Sequence, residues 1–273
     1  YLIKPYVKGF YLNPLGIVQE RLRLFVEKHG SPGILYTPVC LYAGFFNGWQ
    51  PPRHLYTRNI YTAWGNRPYS GGDHQLHRLL DLIWPGYNDC SYFRDERGFL
   101  TATPYGDLAD IILDDVRPEL LGAYRLLLVC GDGDLTYESY GKILRFVRGG
   151  GHAVLTADQL CASPVGRIDP DYLGYAGIKA LSRQAETDRY AVSLADGATV
   201  VAAENGVPLI SEFRLGEGKI SVIYAPYGLE PTGFRPFADG EPQIYDGGRF
   251  NPVGQSIPEL YRFVPAVQAY LSA

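Results

Sequence analysis

The sequence predicts an α/β domain: an open, mostly parallel sheet with helices on both faces and an antiparallel hairpin extension. Three observations carry this expectation. ILYTPVCLYAG (34–44) and the YRLLLVC run at 124–130 are strongly apolar segments, the signature of strands buried on both faces. The second run, the helical pattern behind it and HAVLTA (152–157) make strand, helix and strand within about thirty residues, which is a βαβ unit. Beyond residue 160, short segments are broken by Asn205-Gly206 and Gly216-Glu217-Gly218, which is hairpin chemistry.

Residues 1–30 read as a loop followed by a helix. In GIVQERLRLFVEKHGSPG, Ile17, Val18, Leu22, Leu24, Phe25 and Val26 recur at helical spacing. His29 gives a basic last turn, Gly30 a C-cap, and Pro32 prevents continuation. Because this helix precedes the first strand of the sheet, 1–30 is assigned as a linker or helix from an upstream domain, and 31–273 as the α/β domain. FFNGWQPPRHLYTRNIYTAWGNRPYSGG then forms a long loop rich in aromatics, Pro and Gly; such loops are functional or pack on a neighbour.

Asp73 is expected to cap a helix over HQLHRLLDLIWPG, with Leu76, Leu79, Leu80, Leu82 and Ile83 as its apolar face. A strand is expected near 109–113. Thr136 should cap a helix whose Ile143, Leu144, Phe146 and Val147 face the core and which Gly149 to Gly151 terminate. SIPELYRFVPAVQAYLSA closes the chain as a helix.

Composition narrows the functional classes. Hydrophobic residues make up 46% and charged residues 20%, which is globular rather than disordered. A net charge of −4 with scattered Arg and no basic stripe argues against nucleic acid as a partner. No stretch approaches the roughly 20 apolar residues of a membrane span. The chain starts at Tyr1 and contains no Met, as expected of a trimmed piece of a longer polypeptide or of a sequence lacking its modified methionines. Cys40 and Cys130 sit in apolar runs and read as core thiols; Cys90 and Cys161 complete the four. The 22 Tyr suit sugar stacking and equally suit a large core.

Motifs for chemistry are sparse. The turn CGDGD (130–134) lacks G-x-G-x-x-G, and no G-x-x-x-x-G-K-[ST] occurs, so no nucleotide cofactor is implied. Asp132 and Asp134 follow a buried strand at the end where α/β proteins bind ligands. They either hold a divalent cation or form a solvated turn that caps the next helix. Asp73, His74 and His77 are weak metal candidates, with the imidazoles three residues apart on one helix face, or else ordinary first-turn residues. No G-x-S-x-G or G-x-C-x-G elbow is present, and no His-x-Glu follows. Asp114, Asp115, Glu138, Asp169 and Asp171 are acidic candidates for glycoside chemistry, without a spacing that pairs them.

TPVCLYAGFFNGW, YSGGDHQLHRLLDLIWPGY, YRLLLVCGDGDLTYESYGKILRFVRGGGHAVLTA and VPLISEFRLGEGKISVIYAP together resemble a glutamine-amidotransferase-like (class I) domain. This is the kind found as the trimerisation domain of microbial β-galactosidases and in ThuA-like proteins. The resemblance covers roughly residues 34–225 and implies a flavodoxin-like sheet. True amidotransferases of this fold place a cysteine on the elbow after the strand matching HAVLTA, where this chain has Thr156, Ala157 and Asp158. The resemblance therefore implies a domain without its nucleophile and without a cofactor, serving a larger glycoside hydrolase or polysaccharide lyase. Its partners would be an upstream catalytic barrel or sister subunits, and carbohydrate. Trp49, Tyr56, Trp64 and Tyr69 in the aromatic loop, with Asp132 and Asp134, are the expected contact residues. The alternative is a stand-alone ThuA-like sugar-modifying hydrolase that uses a metal.

Overall fold

Two units divide the chain, Tyr1–Tyr36 and Thr37–Ala273. The computed structural model describes residues 3–6, 9–30, 33, 36–44, 62–63, 67–68, 70–83, 108–131, 135–161, 170–184, 189–233 and 261–273. In the first unit β1 (Ile3–Tyr6) and β2 (Gly9–Leu12) pair antiparallel, so a hairpin stands where the sequence reading had a loop. Helix α1 (Pro14–His29) follows. Asn13 Oδ1 accepts from Gly16 N (2.8 Å), Pro14 fills the first turn, and Gly30, with φ 79°, closes the helix through its N–H to Val26 O.

The second unit runs β3 (Val39–Ala43), the short pair β4 (Thr62–Ala63) and β5 (Arg67–Pro68), α2 (Gly71–Ile83), β6 (Ala109–Leu113), α3 (Pro118–Leu121) and β7 (Leu126–Cys130). It continues with α4 (Tyr137–Arg148), β8 (His152–Thr156), α5 (Ala157–Cys161), α6 (Pro170–Tyr175) and the hairpin β9 (Ile178–Gln184) and β10 (Arg189–Leu194). Last come β11 (Thr199–Glu204), β12 (Val207–Leu215), β13 (Gly218–Ile223), β14 (Leu229–Pro231), β15 (Tyr261–Phe263) and α7 (Pro265–Leu271). No helix among the described residues is long and apolar enough to cross a membrane.

Among the described residues the main sheet has seven strands in the order β11-β12-β13-β8-β7-β3-β6. β13, β8, β7, β3 and β6 are parallel, and β12 pairs antiparallel with β13 and β11. Taken in chain order the parallel strands lie second, first, third, fourth, fifth, which is the flavodoxin-like winding. The fold is the expected α/β class with an antiparallel hairpin extension.

Side-chain alternation builds a core on each face. Cys40, Tyr42, Leu127, Val129, Ala153, Leu155, Ile220 and Val222 point to one face, under Tyr140, Ile143 and Val147 of α4. Leu41, Ala43, Leu128, Cys130, Val154 and Ile223 point to the other, under Leu76, Leu79, Leu80 and Ile83 of α2 and Val267 of α7. Each fully buried aliphatic side chain contributes about 1.5–3 kcal/mol, so the layering is the main source of stability.

Several boundaries differ from the sequence reading. β3 starts only at Val39, because Pro38 has no N–H for the ladder; its carbonyl instead accepts from Arg125 N and Leu126 N. Helix α2 starts two residues before His74's predicted cap. Ser70 Oγ accepts from Asp73 N (3.2 Å) and Asp73 Oδ2 accepts from Ser70 N (2.9 Å), a reciprocal capping box that places Asp73 inside the first turn. Near the C-terminus, Tyr261–Phe263 is a strand paired with β14, and the helix starts only at Pro265. Proline belongs in a helix's first turn and keeps the residue before it extended. Thr136 caps α4 as expected, accepting from Ser139 N (3.1 Å).

Two glycines give opposite predictions. Gly141 is exposed in mid-α4 with open space around a built Cβ, so Gly141→Ala should stabilise by about 0.5–1 kcal/mol. At Gly218 a Cβ would overlap the backbone carbonyl oxygens of Gly151 and Val147, which cannot rotate away. Gly218→Ala should cost about 3 kcal/mol or more. Urea midpoints of the two variants check both signs.

Candidate functional site

All five parallel strands deliver their carboxyl ends to one edge, and ligands of open α/β sheets bind outside that edge where neighbouring connections diverge. Here the divergence lies between β3, which leads to β6 on one side, and β7, which leads to β8 on the other. Gly131 stands at this point with φ 88°, a conformation that favours glycine. Its N–H donates to Gln75 Oε1 of α2 (3.0 Å), and its carbonyl accepts from Gln159 Nε2 of α5 (3.3 Å). Gln159 also donates to Val129 O (2.8 Å) and accepts from Thr156 N (2.8 Å). Two buried glutamines thus fix the exit turn of β7 from both sides.

At the exit of β8 the chain enters α5 at once, and the position of interest is filled by Asp158. Its carboxylate accepts from Tyr190 Oη of β10 (2.8 Å) and from Tyr227 N (2.6 Å), just beyond β13. Asp158 is only 5% exposed. Burial pushes its carboxyl above the usual carboxylate range, and its two donors pull in the opposite sense. Tyr227 has φ 51°, a left-handed conformation that costs a bulky residue of order 1–2 kcal/mol. The Asp158 bond holds it there. Its ring lies where a Cβ on Gly71 would be, so α2 can begin beneath it only with glycine.

His74 and His77 are not first-turn surface residues: α2 is buried along nearly its whole length. His74 stacks on Tyr261 (ring centroids 4.7 Å apart), and His77 is 2% exposed. Burial, with Arg78 nearby, holds His74 down to about 4 and His77 well below its ordinary value. Among the described residues no group of three or more His, Cys, Asp or Glu is placed to hold a metal ion. Trp49, Tyr56, Trp64, Tyr69, Asp132 and Asp134 lie outside the described residues, as do Cys90 and Asp169.

Cys40 and Cys130 are buried free thiols in the core, as the apolar runs implied. Burial raises Cys40 to about 12, Cys161 to about 11 and Cys130 further, so all three stay protonated and non-nucleophilic at neutral pH. Two of the acidic candidates have structural partners. Asp114 accepts from Ser139 Oγ (2.9 Å), and Glu138 pairs with Lys142 (3.0 Å).

A second polar cluster occupies the opposite, amino edge. His152 Nε2 lies 2.7 Å from Ser221 Oγ, and Tyr270 Oη is 2.7 Å from both Ser221 Oγ and Glu212 Oε1. Lys219 Nζ donates to the same carboxylate oxygen (2.8 Å). The residue types are those of a hydrolytic triad, but Ser221 has no exposed surface and Glu212 lies on the serine side of the imidazole. The cluster clamps α7 to the sheet through Tyr270.

Asp158, Tyr190, Tyr227, Gln75 and Gln159 were not picked out as functional from the sequence. Asp158 had one signal, an acidic residue directly after a buried strand. Tyr190 and Tyr227 reach it over separations of 32 and 69 residues, for which spacing gives no warning.

No family model matches the chain, and no curated protein does. Solved structures do. An exo-β-1,4-mannosidase from Opitutaceae bacterium strain TAV5 is 18% identical with a TM-score of 0.42, over 81% of this chain and 36% of that one. A β-galactosidase from Bacillus circulans sp. alkalophilus is 13% identical with a TM-score of 0.43, over 70% of this chain and 29% of that one. A ThuA-like protein from Bacteroides uniformis is 8% identical with a TM-score of 0.38, over 72% of this chain and 87% of that one. The chain thus spans about a third of the length of the two glycosidases.

Two measurements follow from the site. Asp158→Ala leaves a tyrosine hydroxyl and a backbone N–H without their acceptor and should cost about 2–3 kcal/mol in urea unfolding, with Asp158→Asn between it and the native chain. The histidines set an acid dependence. His74 and His152 titrate near 4 when folded against 6.5 unfolded, so the unfolded chain binds more protons in that interval. Stability should fall as pH drops from 6.5 towards 4, with His77 adding in the same direction and Asp158 opposing. His74→Phe should flatten the slope of the urea midpoint against pH.

Proposed function

We propose that this chain is a non-catalytic accessory and assembly domain of a larger carbohydrate-active enzyme, a glycoside hydrolase or polysaccharide lyase, on a glutamine-amidotransferase-like scaffold. One observation carries the reading. The strand exit where such a scaffold would hold its nucleophile is occupied by Asp158, whose carboxylate is committed to Tyr190 and Tyr227. A nucleophile needs a free, activated atom beside a base; Asp158 is bonded from two sides and buried. Among the described thiols, Cys40 and Cys130 are inside the core and Cys161 is partly buried against it, and burial raises all three. The carbohydrate setting follows from the sequence resemblance, and fold likeness alone does not assign it. In this reading the aromatic loop, with Trp49, Tyr56, Trp64 and Tyr69, meets a catalytic barrel or sister subunits.

The test is activity and assembly measured together. The purified chain should release neither ammonia from glutamine nor aryl alcohol from a panel of aryl glycosides above the buffer rate. Trp49→Ala with Trp64→Ala should shift the natural polypeptide to a smaller sedimenting species. Turnover by the chain alone that a chelator abolishes would replace this reading with the stand-alone, metal-dependent one.

A further inference from the structure

We propose that a cavity of about 610 Å³ at the carboxyl edge, between the start of β10, the β11–β12 turn and β14, binds a neutral, hydroxyl-rich ligand of one or two sugar rings. The inference deepens the accessory reading and rests on it for the choice of sugars as probes.

Position is the first support. Tyr190 and Tyr224 both line the cavity and are joined by Tyr190 N to Tyr224 O (3.1 Å). Tyr190 is also the hydroxyl donor to Asp158, so the cavity abuts the exit of β8. It lies on the carboxyl edge at the β12–β13 side of the sheet, away from the β3–β7 divergence. Its volume falls within the roughly 300–1,000 Å³ of small-molecule sites.

Charge fixes the class of ligand. Two carboxylates line the cavity, Glu204 and Glu230, and each already has a guanidinium. Arg189 reaches Glu204 through Nε (3.3 Å) and Nη2 (3.2 Å), and Arg262 Nε reaches Glu230 (2.7 Å). An anionic ligand would compete with Glu204 for Arg189, and a cationic one would compete with Arg189 for Glu204. Either would also lose its hydration without a charge left to replace it. A hydroxyl donates and accepts at once, so it bonds carboxylate and guanidinium together without breaking the pair. Leu209 and Leu229, both buried, give an apolar floor for the C–H face of a ring.

The Arg189–Glu204 pair is partly exposed, with side chains 26% and 48% accessible. Such pairs contribute little to stability, so either residue can be changed without unfolding the chain. Saturation-transfer NMR and calorimetry on the intact chain, with mannobiose, galactobiose and cellobiose at millimolar concentrations, test the proposal. Galacturonate and glucosamine serve as charged probes. At least one neutral disaccharide should bind, and the charged probes should bind roughly tenfold or more weakly. Arg189→Ala and Glu204→Ala should each weaken the neutral ligand by a similar factor at unchanged urea midpoint, while Arg145→Ala, on α4, leaves it unaltered. No transfer from any neutral sugar, equal binding of the charged probes, or indifference to both variants overturns the proposal. Hydrolysis of the bound sugar by the chain would sink the accessory reading and leave the ligand assignment intact, so the two failures are separable.

Discussion

Burial of the parallel strands on both faces is the constraint on which the rest depends. A parallel ladder needs crossover connections, and the crossovers lay helices on the faces. α4 covers one face; α2 and α7 cover the other. With the faces of β3, β7, β8 and β13 covered, the ends of these strands are what the centre of the sheet presents. The carboxyl edge gathers the exits of β3, β7, β8 and β13, and it is there that the chain concentrates its buried hydrogen-bonding groups. Buried polar groups must be satisfied, and Gln75, Gln159 and Asp158 satisfy the exit turns.

Both edges use residue types familiar from catalysis for structural ends. At the carboxyl edge a buried carboxylate holds the backbone of a strained tyrosine, Tyr227, and the hydroxyl of Tyr190 on β10. At the amino edge serine, histidine, glutamate, lysine and tyrosine converge, yet the serine has no route to solvent. Accessibility and the direction of each hydrogen bond decide what such a group does, and residue type alone does not. The same reasoning separates the Arg189–Glu204 pair: it faces a cavity and it is partly exposed.

Much of the architecture was legible in the sequence because it is written in local patterns. LLLVC and HAVLT are continuous apolar runs of strand length, Thr136 stands three residues before Ser139, and Asn205-Gly206 is a hairpin turn. Errors arose where a local signal had a competitor. Asp73 looked like a cap, but Ser70 formed the cap with Asp73 as its reciprocal partner. SIPELYRFVPAVQAYLSA reads as one closing helix, but Tyr261–Phe263 is a strand and the helix starts only at Pro265. The site was much less legible. Asp158, Tyr190 and Tyr227 belong to three elements that the sheet brings together, and Arg189 and Glu204 sit on different strands with a turn between them. Such contacts are products of topology, and no periodicity encodes them.

The central claim is that this domain works as a part of something larger. Its most direct test is the intact mass of the polypeptide as the cell makes it, together with the identity of the segment joined to α1. The account predicts a chain that continues into a barrel-sized domain carrying a pair of catalytic carboxylates. A natural polypeptide of this mass alone, turning over a substrate by itself, would contradict it.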